Sequence, residues 1–383
     1  MFLQREIAAL RARGVRLRIH SMWGGGGSFR GIGVETFSKW RLLELFWLIP
    51  FETWRRPDVM RRLLRGLATR RPPSWINFWE NMLGAGFACV YARSFRTNPP
   101  GLVHAAWSGA PATAAWLLWR MNGQRFSAGA HAYDVFEHGG DWWLSEKLEA
   151  AVFVHTSTEL ARDALIARGV PAGKVICIRS GLERLPALKH LRSSRVPLHV
   201  LSIARLVEKK GLDCQLRIYA ALKAAGVDFA ARIVGDGPLR ARLEKLAGHL
   251  GVAERVTFAG QVPSQEVWEH LEWSDVLLHT GVVAPSGDRD GLPNAIAEAM
   301  AAGVPVVTSP TAGTTEAVSD GATGIVLPVD RPDAWVGALR RLASDDDLCE
   351  SLRHAARRWV EANFDVRANT DRLLERLEAA AAQ

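Results

Sequence analysis

The stretch PSGDRDGLPNAIAEAMAAG, Pro285–Gly303, decides how this chain is read. It sets Asp290 eight positions before Glu298, across a Gly-Leu-Pro turn that opens an apolar helix expected over Asp290–Ala302. Ala295, Ile296, Ala297, Ala299, Met300, Ala301 and Ala302 surround Glu298, so the helix reads as buried. A lone carboxylate in such a helix is costly unless something satisfies it. Pro293 suits the first helical position and Gly303 the position just past the end. The free backbone N–H groups at the helix start are a natural seat for phosphate. A buried acceptor beside that seat points to a sugar nucleotide, with Glu298 on ribose hydroxyls. A capped, well-packed helix with one awkward Glu is the other reading, and the pair alone leaves both open.

Working outward, the second half alternates strands with helices. Strands are expected at His199–Arg205, Ala230–Gly235, Arg255–Gly260, Val276–Thr280, Pro305–Ser309 and Gly324–Leu327, and a helix at Leu239–Leu250. This rhythm predicts a parallel sheet covered by helices on both faces. The first half repeats it more loosely, with strands near Val15–His20, Leu102–Ala106, Ser127–Ala130, Ala151–Thr156 and Lys174–Ile178. Glu183–Pro197 is polar and Pro-bounded, an expected hinge. At 383 residues the chain suits two domains of near-equal size. Two such domains facing one another leave a cleft at the carboxyl ends of their strands.

The pair Asp290/Glu298 resembles the E-x7-E signature of the retaining glycosyltransferases of family 4, with Asp in place of the first Glu. GDRDGLPN followed by EAMAAGVPVV is similar to the exopolysaccharide and colanic-acid branch of that family. The resemblance implies an α/β GT-B fold of two Rossmann-like domains with parallel sheets facing a central cleft. It implies an acceptor-side domain over 1–188, a nucleotide-sugar domain over 189–360, and a C-terminal helix over 361–383 returning to the first domain. MFLQREIAALRARGVRLRIHS looks like the family's first helix and second strand, without the opening strand and its glycine loop. A sheet lacking that strand is expected to carry a bare edge.

SIARLVEKKG, Ser202–Gly211, follows the first strand of the second half. Two fixed cations at a strand's carboxyl end can neutralise a departing diphosphate. The resemblance gives this role to Arg205 and Lys210. It assigns Asp290 to donor-sugar hydroxyls, and Gly291, Leu292, Pro293 and Asn294 to the lining of the sugar-diphosphate site. VGDGPL, Val234–Leu239, is a glycine turn that alone means only a tight turn, and the resemblance implies that Gly235 and Gly237 shape the cleft wall. GQVP, around Val262, is where family members contact the base. His131, ending a strand in FSAGAHAYDVFEH, matches the family's His beside the anomeric centre. His131, Asp134 and His138 imitate a metal set, and a structural role is preferred for them. Asp288-Arg289-Asp290 imitates an Asp-x-Asp motif, but Arg205 and Lys210 already supply the charge a divalent ion would bring. No metal and no other cofactor is expected.

Trp40–Trp54, WRLLELFWLIPFETW, is strongly apolar and is followed by Arg55, Arg56, Arg61, Arg62 and Arg65. An inserted core helix and a membrane-interface segment are equally compatible with it. The charge is uneven: residues 1–100 hold 17 Lys/Arg against 6 Asp/Glu, and the rest of the chain 31 against 34. Such a patch can meet an anionic membrane, a phosphorylated acceptor or nucleic acid, and no nucleic-acid-reading motif is present. No signal peptide and no membrane-crossing run is expected, and the four scattered cysteines suit a reducing cytoplasm. The expectation is a metal-independent retaining glycosyltransferase, cytoplasmic or peripheral at the inner membrane face. It would move a sugar from a UDP- or GDP-sugar to a lipid-linked or other saccharide acceptor. An inactive shortened paralogue acting as a binding partner and a sugar-nucleotide epimerase on the same fold are the rivals.

Overall fold

The structure is a computed structural model that describes residues 2–29 and 31–382. It divides into two compact units, one of residues 1–181 and 366–383 and one of residues 182–365. Within the second unit the strands are β8 (Leu198–Ile203), β9 (Phe229–Val234), β10 (Val256–Gly260), β11 (Val276–His279), β12 (Val306–Thr308) and β13 (Ile325–Val326). They form one six-stranded sheet in the order β10-β9-β8-β11-β12-β13, with every pair parallel.

Alternation along these strands explains the layers. Leu198, Val200, Ile233, Val276, Leu278 and Val307 point to one face, under α9 (Leu212–Ala224), α10 (Arg240–His249) and α13 (Pro332–Ser344). Leu201, Val234, Leu277 and Val306 point to the other, under α11 (Val267–Trp273), α12 (Asn294–Ala302) and α14 (Asp346–Asn363). Parallel strands must be covered on both sides, and here both are. Glu183–Pro197, the expected hinge, is bonded to this unit. The Lys189 backbone N–H donates to Ala302 O at 3.1 Å, and its Nζ to Glu272 O at 2.6 Å. Arg192 grips Asp275 through two contacts of 2.9 and 2.7 Å.

The first unit holds β1 (Ile19–Ser21), β2 (Ser28–Phe29) and β3 (Ile32–Thr36) in a small sheet of order β1-β3-β2. The strand expected from Val15 begins only at Ile19. A second, parallel sheet runs β4-β5-β6-β7, built from Val103–Ala105, Phe126–Gly129, Val154–Thr156 and Val175–Cys177. β4 is the edge of that sheet on the side away from β5. Helices α1 (Phe2–Ala12), α2 (Leu45–Arg55), α3 (Pro57–Thr69), α4 (Trp75–Thr97), α5 (Ala110–Asn122), α6 (Ala132–Phe136), α7 (Leu144–Ala150) and α8 (Glu159–Ala167) complete it, with α15 (Val366–Ala382) beside α1. α4 and α5 approach so closely that a Cβ on Gly84 would lie 2.3 Å from Ala110 O. Lys147, fully buried between them, bonds Asp141, Asn81 and Thr113, which satisfies a cation that burial would otherwise expel.

Candidate active site

The second unit gathers its charged groups where strands end and α12 begins. β8 runs out into Arg205, which is exposed. The turn after β9 holds that loop from below. A Cβ on Gly235 would meet Ala204 O at 2.0 Å, and one on Gly237 would meet Leu206 O at 2.6 Å. Gly235 also has φ +131°, a conformation that side-chain-bearing residues avoid. Backbone bonds Ala204 N to Val234 O at 2.9 Å and Leu206 N to Asp236 O at 3.0 Å complete the seam. The two glycines therefore flank and fix the loop that carries Arg205.

A second seam positions the lysines. Gly211, with φ +58°, lies so near β11's exit that a Cβ would sit 2.0 Å from Thr280 O. Val282 N donates to Lys209 O at 2.9 Å, and the Thr280 hydroxyl to Gly211 O at 3.0 Å. Lys210 Nζ then donates to Asp290 Oδ2 at 2.7 Å, while Lys209 Nζ stands 2.9 Å from Asp288 Oδ2. His279, the last residue of β11, donates from Nε2 to the same Asp290 oxygen at 3.1 Å, and its Nδ1 meets the Thr308 hydroxyl at 3.2 Å.

Burial alone would push the Asp290 carboxyl up. The Lys210 charge and the His279 hydrogen bond outweigh it and hold the carboxyl far below its ordinary range. Asp290 is thus a charged carboxylate at neutral pH. Burial lowers His279, against the pull of Asp290.

Asp290 lies ahead of α12 and not within it, because Pro293 is the N-cap and Asn294 the first helical residue. Gly291, Leu292 and Pro293 form the turn between them, so the first N–H groups of α12 open beside Asp290. Glu298 is buried on α12 among the expected alanines. Val262 and Leu292 pack half-buried against the core cluster beneath that helix.

His131 lies in the first unit, directly after β5, as the N-cap of α6. Its backbone N–H donates to Asp134 Oδ2 at 3.0 Å, which fixes the buried Asp134 as a cap. His138 is exposed, with φ +49°. His131, Asp134 and His138 do not converge as ligands. Among the described residues the grouping with ligand-type atoms close together is Glu6, His104 and His155, within 4.8 Å of one another. His104 Nδ1 pairs with the Ser127 hydroxyl at 2.9 Å, and His155 Nε2 donates to Ile178 O at 2.9 Å. Burial pushes His104 and His131 down to about 3, so both imidazoles are neutral at pH 7. Burial raises the Glu6 carboxyl. Glu6, His131 and His155 line one cavity of this unit together with Arg5, Ser157 and Arg179.

Reading the residues alone did not find His279, Thr280, Gly211 or the Glu6–His104–His155 group. The signal for His279 was present: a histidine closing the apolar run VLLH sits at the carboxyl end of a parallel strand, where ligands bind in such sheets.

Residues 190–359 match the family described as glycosyl transferases, group 1. The amylovoran biosynthesis glycosyltransferase AmsK of Erwinia amylovora is 34% identical over 222 residues, 58% of this chain and 54% of that protein. A GDP-mannose-dependent alpha-(1-6)-phosphatidylinositol monomannoside mannosyltransferase of Mycolicibacterium smegmatis is 36% identical over 179 residues, 46% of this chain and 47% of that protein. The chain spans about half the length of the curated relatives it matches. Among solved structures, Anabaena HepE in complex with UDP and glucose superimposes with a TM-score of 0.66 at 17% identity, covering 95% of this chain and 100% of that one. That likeness shows the fold: α/β, of the GT-B class.

Proposed function

From a chain whose residues 190–359 match the family described as glycosyl transferases group 1, we propose a retaining glycosyltransferase that needs no metal. It moves a sugar from a UDP- or GDP-sugar to a lipid-linked saccharide in exopolysaccharide biosynthesis, at the cytoplasmic face of a membrane. The observation that carries this reading is the Lys210–Asp290–His279 constellation at the start of α12, with a buried carboxylate held charged. An ionised carboxylate so placed is a strong acceptor for hydrogen bonds from sugar hydroxyls. Lys210 and the exposed Arg205 stabilise the leaving diphosphate, a charge that grows as the bond to the sugar breaks. The N–H groups over Gly291–Asn294 receive the phosphates at the helix end. Glu298 takes the ribose, and Val262 lies by the base. His131 acts as a neutral positioning group.

The donor class follows relatives named for amylovoran biosynthesis and for GDP-mannose dependence, and a fold neighbour that holds UDP. No described helix is long and apolar enough to cross a membrane. A thermal-shift panel of UDP- and GDP-sugars tests the donor. A ligand at a hundred times its Kd should add about 2.7 kcal/mol of stability. Glu298→Ala should weaken calorimetric affinity for the same donor at least tenfold. Unchanged affinity, or a panel in which no nucleotide sugar raises the melting temperature, overturns the reading.

A further inference from the structure

The helix α2 and the 3-10 turn before it, Lys39–Glu44, are apolar on two opposite sides. Leu42, Leu45 and Leu48 face inward and pack against the core of the first unit. That inward side is firmly seated. Glu52 is buried and lies 3.6 Å from Arg96 of α4, and a Cβ on Gly86 of α4 would meet Leu42 at 2.5 Å. The side left outward is apolar as well. Trp40 is 81% exposed, Phe46 84%, Trp47 61% and Trp54 80%, with Leu43, Ile49 and Phe51 exposed among them. Trp40, Leu43, Trp47, Phe51 and Trp54 recur at helical spacing, so they form one stripe rather than a scatter.

A helix apolar all round is normally enclosed by protein or lipid. A stripe of this size left bare in water is a contact surface. Charge says what covers it. Residues 39–71 carry nine Lys/Arg against three Asp/Glu. On and flanking the adjoining α3, Arg56, Arg61, Arg62, Arg65 and Arg71 are exposed, and none forms an ion pair with a described residue. Leu64 and Leu67 are exposed between them. Aromatic rings flanked by unpaired guanidinium groups suit the headgroup layer, where rings sit at the interface and arginine stems lie along the acyl boundary. With no described residue holding them, the exposed arginines are free to meet lipid phosphates.

We propose that the outward stripe of residues 40–54 and the arginines of α3 form a docking face for an anionic phospholipid bilayer. The helices would lie in the headgroup plane and not span it. This extends the acceptor side of the proposed function, yet the observations that carry it lie in the first unit and do not depend on the donor chemistry.

Co-flotation of the full chain with vesicles separates the outcomes. Phosphatidylcholine vesicles containing phosphatidylglycerol should capture the protein, pure phosphatidylcholine far less, and added salt should weaken capture. Trp47→Ser with Trp54→Ser should reduce partition at least tenfold. The triple change Arg61→Ala, Arg62→Ala and Arg65→Ala should reduce it roughly a hundredfold at low salt. Nucleotide-sugar binding should stay as in the unaltered protein for both variants, which shows that they remain folded and keeps this test apart from that of the donor site. Equal capture by both vesicles, or capture by neither, overturns the proposal. So does a stable dimer that Trp47→Ser with Trp54→Ser dissolves while vesicles bind nothing, since the face would then belong to a second copy.

Discussion

The buried Asp290 in the second unit and the half-buried Glu6 in the first are both carboxyl groups beside histidine rings, yet their acidities are driven in opposite directions. Burial raises both. Asp290 has the Lys210 ammonium at 2.7 Å, and that charge reverses the effect. Glu6 has the His155 ring as its opposing influence, too little to offset desolvation, and burial prevails. The difference teaches that depth alone does not set the charge of a site. What sets it is a cation delivered by the backbone, here by the seam between Gly211 and Thr280.

Removing that cation should produce the largest change. Lys210→Met leaves the buried Asp290 with only His279 and a 3.9 Å contact to Lys209, and should destabilise by about 3 kcal/mol in urea unfolding, the low end of the usual result of breaking one side of a buried pair. The double change with Asp290→Asn should recover most of the loss. A single-variant loss below about 1 kcal/mol would remove the ground for contrasting the two carboxyl groups.

Gly235→Ala comes next, because it strikes the other seam. Its Cβ would enter Ala204 O at a residue with φ +131°. A loss of about 2–3 kcal/mol is expected, read by thermal or chemical unfolding. Gly173, where a Cβ meets nothing within 4 Å, is the control and should tolerate alanine.

The third test sharpens the comparison through pH. The folded His104 titrates at about 3, below the ordinary histidine value near 6.5. Between those values the unfolded chain takes up a proton that the folded chain refuses. Stability therefore falls as pH drops through that window, by at most about 1.4 kcal/mol per pH unit from this one group. The raised Glu6 beside it has the opposite sign and regains stability as it protonates. His104→Gln should flatten the acid side of the stability profile. An unchanged acid slope would show that His104 charges in the folded state.

The layered second unit was legible in the chain because its strands are short apolar runs punctuated by glycine and proline. All six expected strands appear, with ends shifted by a residue or two. The turn before α12 was legible too, although Pro293 proved to be the cap and Asp290 to precede the helix. The ion pair was not. Lys210 and Asp290 are 80 residues apart, and only the close backbone approach at Gly211 brings them together. Nothing in KKG or DRDG alone names the partner. The α2 stripe failed to resolve for another reason. Apolar residues on every side of a helix are equally compatible with a core and with an interface, and the choice depends on how much of the helix α4 covers. It covers one side.

The contact between Lys210 and Asp290 has one more consequence. In the resting protein each group neutralises the other, so the cluster is complete before any ligand arrives. Under the proposed function, an incoming phosphate would compete with an aspartate for its ammonium, and the aspartate would release that ammonium before turning to another partner. Recognition at this place becomes an exchange of counter-ions rather than the filling of a vacancy. Abolishing the carboxylate's charge should therefore tighten the grip on a bare nucleoside diphosphate even as it loosens the grip on the sugar-bearing form.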